Sequence, residues 1–160
     1  MKKQVFLAQT RLKAAPEEVF RWHARPEALE ELTPPWEPVE VEARTGGIEE
    51  LGSRVHLRMR VGPCPLRWIA EHRECVPGRR FRDVQVQGPF AVWDHTHSFL
   101  ADGSGSILED RVEYALPGGR LAHWLLGGFV RRKLERLFDY RHRVTAEALG
   151  GDSSRLRDSR

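Results

Sequence analysis

The sequence predicts an α+β fold: a curved antiparallel sheet of seven strands wrapped around one long C-terminal helix, with two short helices after the first strand and an internal cavity. Three observations predict it. Between Trp36 and Leu116 the chain reads as short, mostly alternating apolar segments separated by Gly, Pro and Asp turns, the mark of an antiparallel meander. The last long segment, ending at Leu149, spaces its apolar residues as a helix does. Between the first strand-like segment and the meander lies a stretch with prolines where helices begin and end.

The elements follow in order. "QVFLAQTRL" alternates like a strand. In "APEEVFRWHARPEALEELTPPW", Pro16 suits a first helical turn and Glu17 and Glu18 suit the positive end of its dipole. Val19, Phe20 and His23 then share a face, Pro26 starts a second short helix and "TPPW" stops it. "WEPVEVEART" is a strand ended by "GG". "SRVHLRMRV" places Val55, Leu57, Met59 and Val61 on one face, and "GPCP" turns the chain. "LRWIAEHRECV", "RRFRDVQVQ", "FAVWDHTHSFLA" and "SILEDRVEYAL" complete the meander, with turns at "PG", "GP" and "DGSG" and an end at "PGG".

In the terminal helix, Val130, Leu134, Leu137, Phe138 and Val144 form one apolar stripe. Leu121, Trp124 and Leu125 form another, nearly opposite. Gly127 and Gly128 lie between, and each glycine weakens a helix by about 1 kcal/mol, which predicts a kink or break there. A helix of ~30 residues is ~45 Å long and touches a curved sheet along a line. It cannot fill a broad cup, so a cavity is expected between helix and sheet, the kind of place small molecules bind.

At 160 residues and net charge +3 the chain reads as one domain, residues 1–149, followed by a loose tail, residues 150–160. No apolar run is long enough to span a bilayer, and "VFLA" is too short for a signal peptide, so a cytoplasmic protein is expected. Cys64 and Cys75 lack metal-site spacing and read as buried or half-buried free thiols. No phosphate loop, dinucleotide fingerprint or nucleophile elbow occurs, and no nucleic-acid partner is expected. The basic helical segment "RLAHWLLGGFVRRKLERLFDYRHR" is either a solvated face or a weak contact with an acidic membrane surface.

The stretch "FRDVQVQGPFAVWDHTHSF" resembles the FxDxQxxGPFxxWxHxHxF stretch of the cyclase/dehydrase-like or CoxG-like branch of the START-like (SRPBCC, helix-grip) superfamily. "PEEVFRWHARPEALEELTPPW", "PLRW", "EDRVEYALPGG" and "RRKLERLFDYR" resemble it too, so the likeness runs from about Val5 to Leu149. It implies a hydrophobic ligand in the cavity and no obligatory cofactor.

Strand period puts Trp93, His95, His97 and Phe99 on one face and Asp94 on the other. Centring the next turn between Gly103 and Ser104 pairs Phe99 with Leu108, His97 with Asp110, His95 with Val112 and Trp93 with Tyr114. On the preceding strand Val84 and Val86 compete for the inner face with Phe81, Asp83 and Gln85. The motif favours the second set, with Asp83 opposite His95 and Gln85 opposite Trp93. Each imidazole then has its own carboxylate, His95 with Asp83 and His97 with Asp110, which fixes its tautomer and favours its charged form.

The cluster reads three ways: a satisfied polar patch bridging strands, a polar anchor for a ligand, or an acid/base pair. No metal is expected; an HxH strand with a carboxylate supplies ligands, but only His72 is a candidate for a third histidine, and its facing is open. The expected ligand wall is Trp93, His95, His97, Phe99, Asp83, Gln85, Asp110, Tyr114, Trp68 and Met59, with Trp36 at the mouth and Arg58, Arg60 and Arg67 on the outer face. The leading expectation is a non-enzymatic binder or carrier of a lipid, quinone or polyketide-like molecule. The alternatives are a metal-free polyketide cyclase/dehydratase-type enzyme using His95 or His97 with Asp83 or Asp110 as acid/base, and a membrane-surface or complex-assembly factor.

Overall fold

The computed structural model describes residues 3–61 and 63–151. Strand β1 (Gln4–Leu12) leads into helices α1 (Pro16–His23) and α2 (Ala28–Glu31). Strands β2 (Glu40–Arg44), β3 (Arg54–Val61), β4 (Cys64–Val76), β5 (Arg80–Gln87), β6 (Val92–Asp102) and β7 (Gly105–Ala115) follow, and α3 (Gly119–Leu149) ends the fold. The sheet order is β1-β7-β6-β5-β4-β3-β2, so the meander runs from β2 to β7 and β1 closes onto β7. All neighbours pair antiparallel.

The register between β6 and β7 is the expected one: Phe99 pairs with Leu108, His97 with Asp110, His95 with Val112 and Trp93 with Tyr114. Asp83 pairs with His95 on the other side. The period-2 pattern fixes these registers, because a one-residue slip would turn every buried side chain to water. On β5 the motif was the better guide: Phe81 is buried and Val86 is exposed.

Some boundaries differ from expectation. β2 starts at Glu40 rather than Trp36, because Pro38 and the turn of Pro34 to Glu37 keep the preceding chain out of the ladder. β4 starts at Cys64, inside the expected "GPCP" turn, and Cys64 is exposed rather than buried. α2 starts at Ala28, two residues after Pro26. The edge strand β2 carries Glu40 and Glu42, which pair with Arg58 and Arg67 on the outer face and blunt an edge that could recruit another chain.

The break expected in the terminal helix does not occur: α3 runs for 31 residues through Gly127 and Gly128. Gly127 lies against the His123 ring, whose Cε1 would be 3.0 Å from an added Cβ. The helical ladder and this close packing outweigh a propensity cost of about 1 kcal/mol per glycine. The start of the supposed tail is also held. Lys13 N donates to Gly150 O at 2.6 Å, and Gly151 bridges to Leu12. Residues 152–160 lie outside the described residues.

Two apolar clusters hold the layers together. In one, Val19 and Phe20 of α1 pack on Phe81, Phe99 and Leu108, with Ala146 of α3. In the other, Leu134 and Phe138 of α3 pack on Phe6, Ala8, Val112, Trp93 and Tyr114. Phe138 is fully buried, and such a side chain contributes about 1.5–3 kcal/mol of transfer free energy. Both clusters sit toward the β1–β7–β6 side. The concave face of β3, β4 and β5 is left uncovered, and the cavity lies there.

Candidate functional site

The cavity has a volume of about 980 Å³. Leu57 and Met59 of β3, Trp68 and Ala70 of β4, and Leu126, Phe129 and Val130 of α3 give it apolar walls. Trp68, Phe90 and Trp93 form an aromatic corner, with Trp68 and Trp93 edge to face at 5.0 Å. His23, His72, Asp83, His95, His97 and Arg141 give the lining one polar side, and Arg25, Glu37, Arg44, Arg60 and Lys133 also border the cavity.

The histidines and aspartates are not paired one to one. Asp110 is the hub of three imidazoles. Its Oδ1 is 2.9 Å from His95 Nε2 and 2.7 Å from His97 Nδ1, and its Oδ2 is 2.6 Å from His142 Nε2. The contact to His97 Nδ1 is close but lies off the ring N–H direction, so it acts as an ion pair more than as a hydrogen bond. Asp83 stands on the cavity side, its Oδ2 3.8 Å from His95 Nδ1 and 3.6 Å from His97 Nε2. The expected pairing fails because β7 brings Asp110 beneath both rings at once, while α3 adds His142 from above.

His142 was not foreseen. It is buried, donates Nε2–H to Asp110, and its Nδ1 is 2.9 Å from the Thr10 hydroxyl. With the proton on Nε2, Nδ1 accepts the hydroxyl hydrogen of Thr10. His23 was read only as a member of a helix face; its Nδ1 donates to Val19 O at 2.8 Å and its ring lies 6.2 Å from that of His97. Arg141, also unforeseen, donates Nε–H to Leu32 O at 3.2 Å and borders the cavity.

Burial and charge separate the imidazoles. Burial alone would lower His97, but the Asp110 charge and the contacts to Asp110 and Asp83 outweigh it and push it up to about 9. Its ring stacks on Phe81 at 4.0 Å, which suits a cation on an aromatic face. Burial, reinforced by the positive His97, lowers His95 and brings His23 down to about 4. Burial opposes ionisation of Asp110, yet His97 and the three imidazole contacts hold it well below the usual carboxylate range. At neutral pH the cluster therefore holds a cationic His97 between two carboxylates, beside a neutral His95. With the His95 proton on Nε2 toward Asp110, a lone pair on Nδ1 faces Asp83 and the cavity.

The ten residues expected to line the ligand wall divide. Trp93, His95, His97, Asp83, Trp68 and Met59 border the cavity. Phe99, Asp110 and Tyr114 are on the inner face but buried beneath helices: Phe99 under α1, Asp110 under His142, and Tyr114 in the cluster with Phe138. Gln85 turns to the β5–β6 connection, where its amide donates to Phe90 O at 2.8 Å and accepts from Phe90 N at 3.3 Å. Trp36 packs on Tyr140 and under Arg136, beside the rim residues Pro34 and Glu37 rather than in the lining. Arg58 and Arg67 are on the outer face as expected, whereas Arg60 reaches the rim.

The sequence matches the family model described as "Polyketide cyclase / dehydrase and lipid transport" over residues 12–139. The chain belongs to that family. Its fold is the helix-grip of the START-like superfamily, as the motifs implied. TTHA0849 from Thermus thermophilus is 24% identical with a TM-score of 0.67, over 91% of this chain and 99% of that one. Norcoclaurine synthase from Thalictrum flavum, solved with dopamine and hydroxybenzaldehyde, is 11% identical with a TM-score of 0.71, over 96% and 90% of the two chains. The di-domain ARO/CYC StfQ from the steffimycin biosynthetic pathway is 14% identical with a TM-score of 0.69, over 92% of this chain and 50% of that one. At these identities the likeness is one of fold. No curated protein matches the sequence.

Proposed function

We propose that the protein binds and carries a hydrophobic small molecule of lipid, quinone or polyketide type in the cavity, with the polar end of the ligand against the His95–His97–Asp83 patch. The carrying observation is the cavity itself: about 980 Å³, apolar along β3, β4 and α3, with the buried His95 and His97 and the adjoining Asp83 on its wall. That combination suits an amphipathic ligand held in one orientation. Family membership and the dopamine and hydroxybenzaldehyde held by norcoclaurine synthase support a small-molecule role. The test is native mass spectrometry of freshly purified protein, followed by organic extraction. A copurifying apolar compound, released by Met59→Trp or Ala70→Trp, is the expected result. An empty protein that also fails to bind hydrophobic fluorescent probes would remove the proposal.

A second reading is a cyclase/dehydratase-type enzyme. In it the neutral His95, with Nδ1 on the Asp83 side and Nε2 held by Asp110, acts as the general base, and the cationic His97 beside it as the general acid. Asp110 then positions the rings and does not touch substrate. Turnover of a polyketide-like substrate that collapses in His95→Ala, with a pH profile reporting an imidazole, distinguishes this reading from carriage.

Loading from a membrane surface fits a carrier. Leu121, Trp124, Leu125, Leu126 and Phe129 are exposed on the first half of α3, and Leu126 and Phe129 also border the cavity. Arg131, Arg132 and Lys133 follow directly. Sedimentation with acidic vesicles should depend on salt and be lost in Trp124→Ser; no binding at low salt would end this part of the proposal.

A further inference from the structure

Asp83, His95 and His97 all line the cavity, and each offers one donor atom within 4.8 Å of the other two. Asp83 Oδ2 is 3.6 Å from His97 Nε2 and 3.8 Å from His95 Nδ1. An ion about 2.1 Å from each donor requires donor separations between roughly 3.4 Å, at a tetrahedral angle, and roughly 4.2 Å, for opposed ligands. Both Asp83 spacings fall inside that window, and the third, between His95 and His97, is within 4.8 Å. We propose that these three residues are the ligands of a divalent transition-metal ion of the zinc type, with its remaining coordination positions open to the cavity. On binding, the ion displaces the proton that His97 carries in the metal-free cluster.

The surroundings support this independently of the spacing. Metal-ligating imidazoles commonly rest their second nitrogen on a carboxylate, which fixes the ring and raises the basicity of the ligating nitrogen. His95 does so, its Nε2 hydrogen-bonded to Asp110 Oδ1 at 2.9 Å, and the same oxygen lies 2.7 Å from His97 Nδ1. His142 and Thr10 in turn hold Asp110. On the next strand, His72 is paired in register with Asp83, lines the same cavity, and has a buried Nδ1 without a hydrogen-bond partner. Two imidazoles and one carboxylate select zinc-class ions over magnesium or calcium, which favour oxygen donors.

The probe is zinc alone, so the outcome does not depend on whether an apolar ligand binds. The full chain is stripped with a chelator, then titrated with Zn²⁺ against a chromophoric competitor, and with Co²⁺ while the visible spectrum is followed. One ion per chain is expected, with affinity lowered about tenfold or more in Asp83→Asn and in His95→Ala. His56→Ala, His123→Ala and Cys64→Ser should bind as the unmodified chain does. Less than half an ion per chain, or unchanged affinity in both site variants, overturns the proposal. Should a variant not fold, long-range ¹H–¹⁵N spectra of the unmodified chain decide. His95 Nδ1 and His97 Nε2 shift when zinc is added, or they do not and the site is refuted.

Discussion

The two halves of α3 share a backbone and differ in almost everything else. From Val130 onward the helix lies on β1 and β7 and buries Leu134, Phe138, His142, Thr145 and Ala146. From Gly119 to Phe129 it leaves Leu121, Trp124, Leu125, Leu126 and Phe129 exposed, and Gly127 is its one buried residue. The hydrophobic content is similar; the support beneath it is not. One half is a packing element that also delivers a polar residue into the cluster around Asp110. The other half stands over the cavity, with its apolar side chains divided between that hollow and solvent.

The largest expected consequence is a stability contrast. Phe138→Ala, at 0% exposure between Phe6 and His95, should cost about 3–5 kcal/mol in chemical denaturation. A loss under about 1 kcal/mol would mean that the second half of the helix is not the anchor described. Next, His142→Ala removes a donor from Asp110 and should cost about 1–3 kcal/mol, more than His123→Ala on the first half by the same measurement.

The third expectation is a pH dependence confined to the cluster under the second half. His97 has a folded value of about 9 against an unfolded value near 6.5, so its stabilisation is complete below about pH 6.5 and is lost as the pH rises through about 9. His23 works in the other sense. Lowered to about 4, it favours the unfolded, protonated chain as the pH falls from about 6.5 toward 4. Thermal unfolding in chelator-containing buffer should therefore be most favourable to the fold near neutrality, and His97→Gln should flatten the alkaline side. The smallest effect is Trp124→Ser, whose change in stability should stay within about 0.5 kcal/mol. A larger loss would show that the exposed row is covered in solution.

The sheet was legible in the sequence to a degree the helix was not. Period 2 and one short turn determine which residues of β6 and β7 face each other, and nothing distant can alter that. The arrangement around Asp110 was hidden for two reasons. Which face of a 31-residue helix meets the sheet is set by docking, so His142 and Arg141 carried no local signal. Which imidazole a carboxylate reaches is a matter of side-chain rotamer, so both rings turning to Asp110 could not be read from pairing alone. Facing inward also proved a weaker statement than lining the cavity. Phe99 and Tyr114 are on the inner face, but α1 and α3 cover them. The glycine pair signals a break by local propensity, whereas the His123 ring packed against Gly127 is a contact that propensity does not contain.

Gln85 shows what part of the family-like stretch is for. Its side-chain amide makes with Phe90 the two hydrogen bonds a neighbouring strand would make, so it serves as a substitute peptide group where β5 and β6 separate. A side chain at position 88 would collide with it, since a Cβ there would run into its Oε1 and Cδ. Glutamine, glycine and the residue whose backbone is clasped thus form one mechanical unit within "QVQGPF", and that unit fixes the pose of Phe90 against Trp68 and Trp93. A glutamate at position 85, ionised and unable to donate, would keep the size of the latch and lose half its grip, letting the aromatic corner drift while the sheet behind it stayed intact.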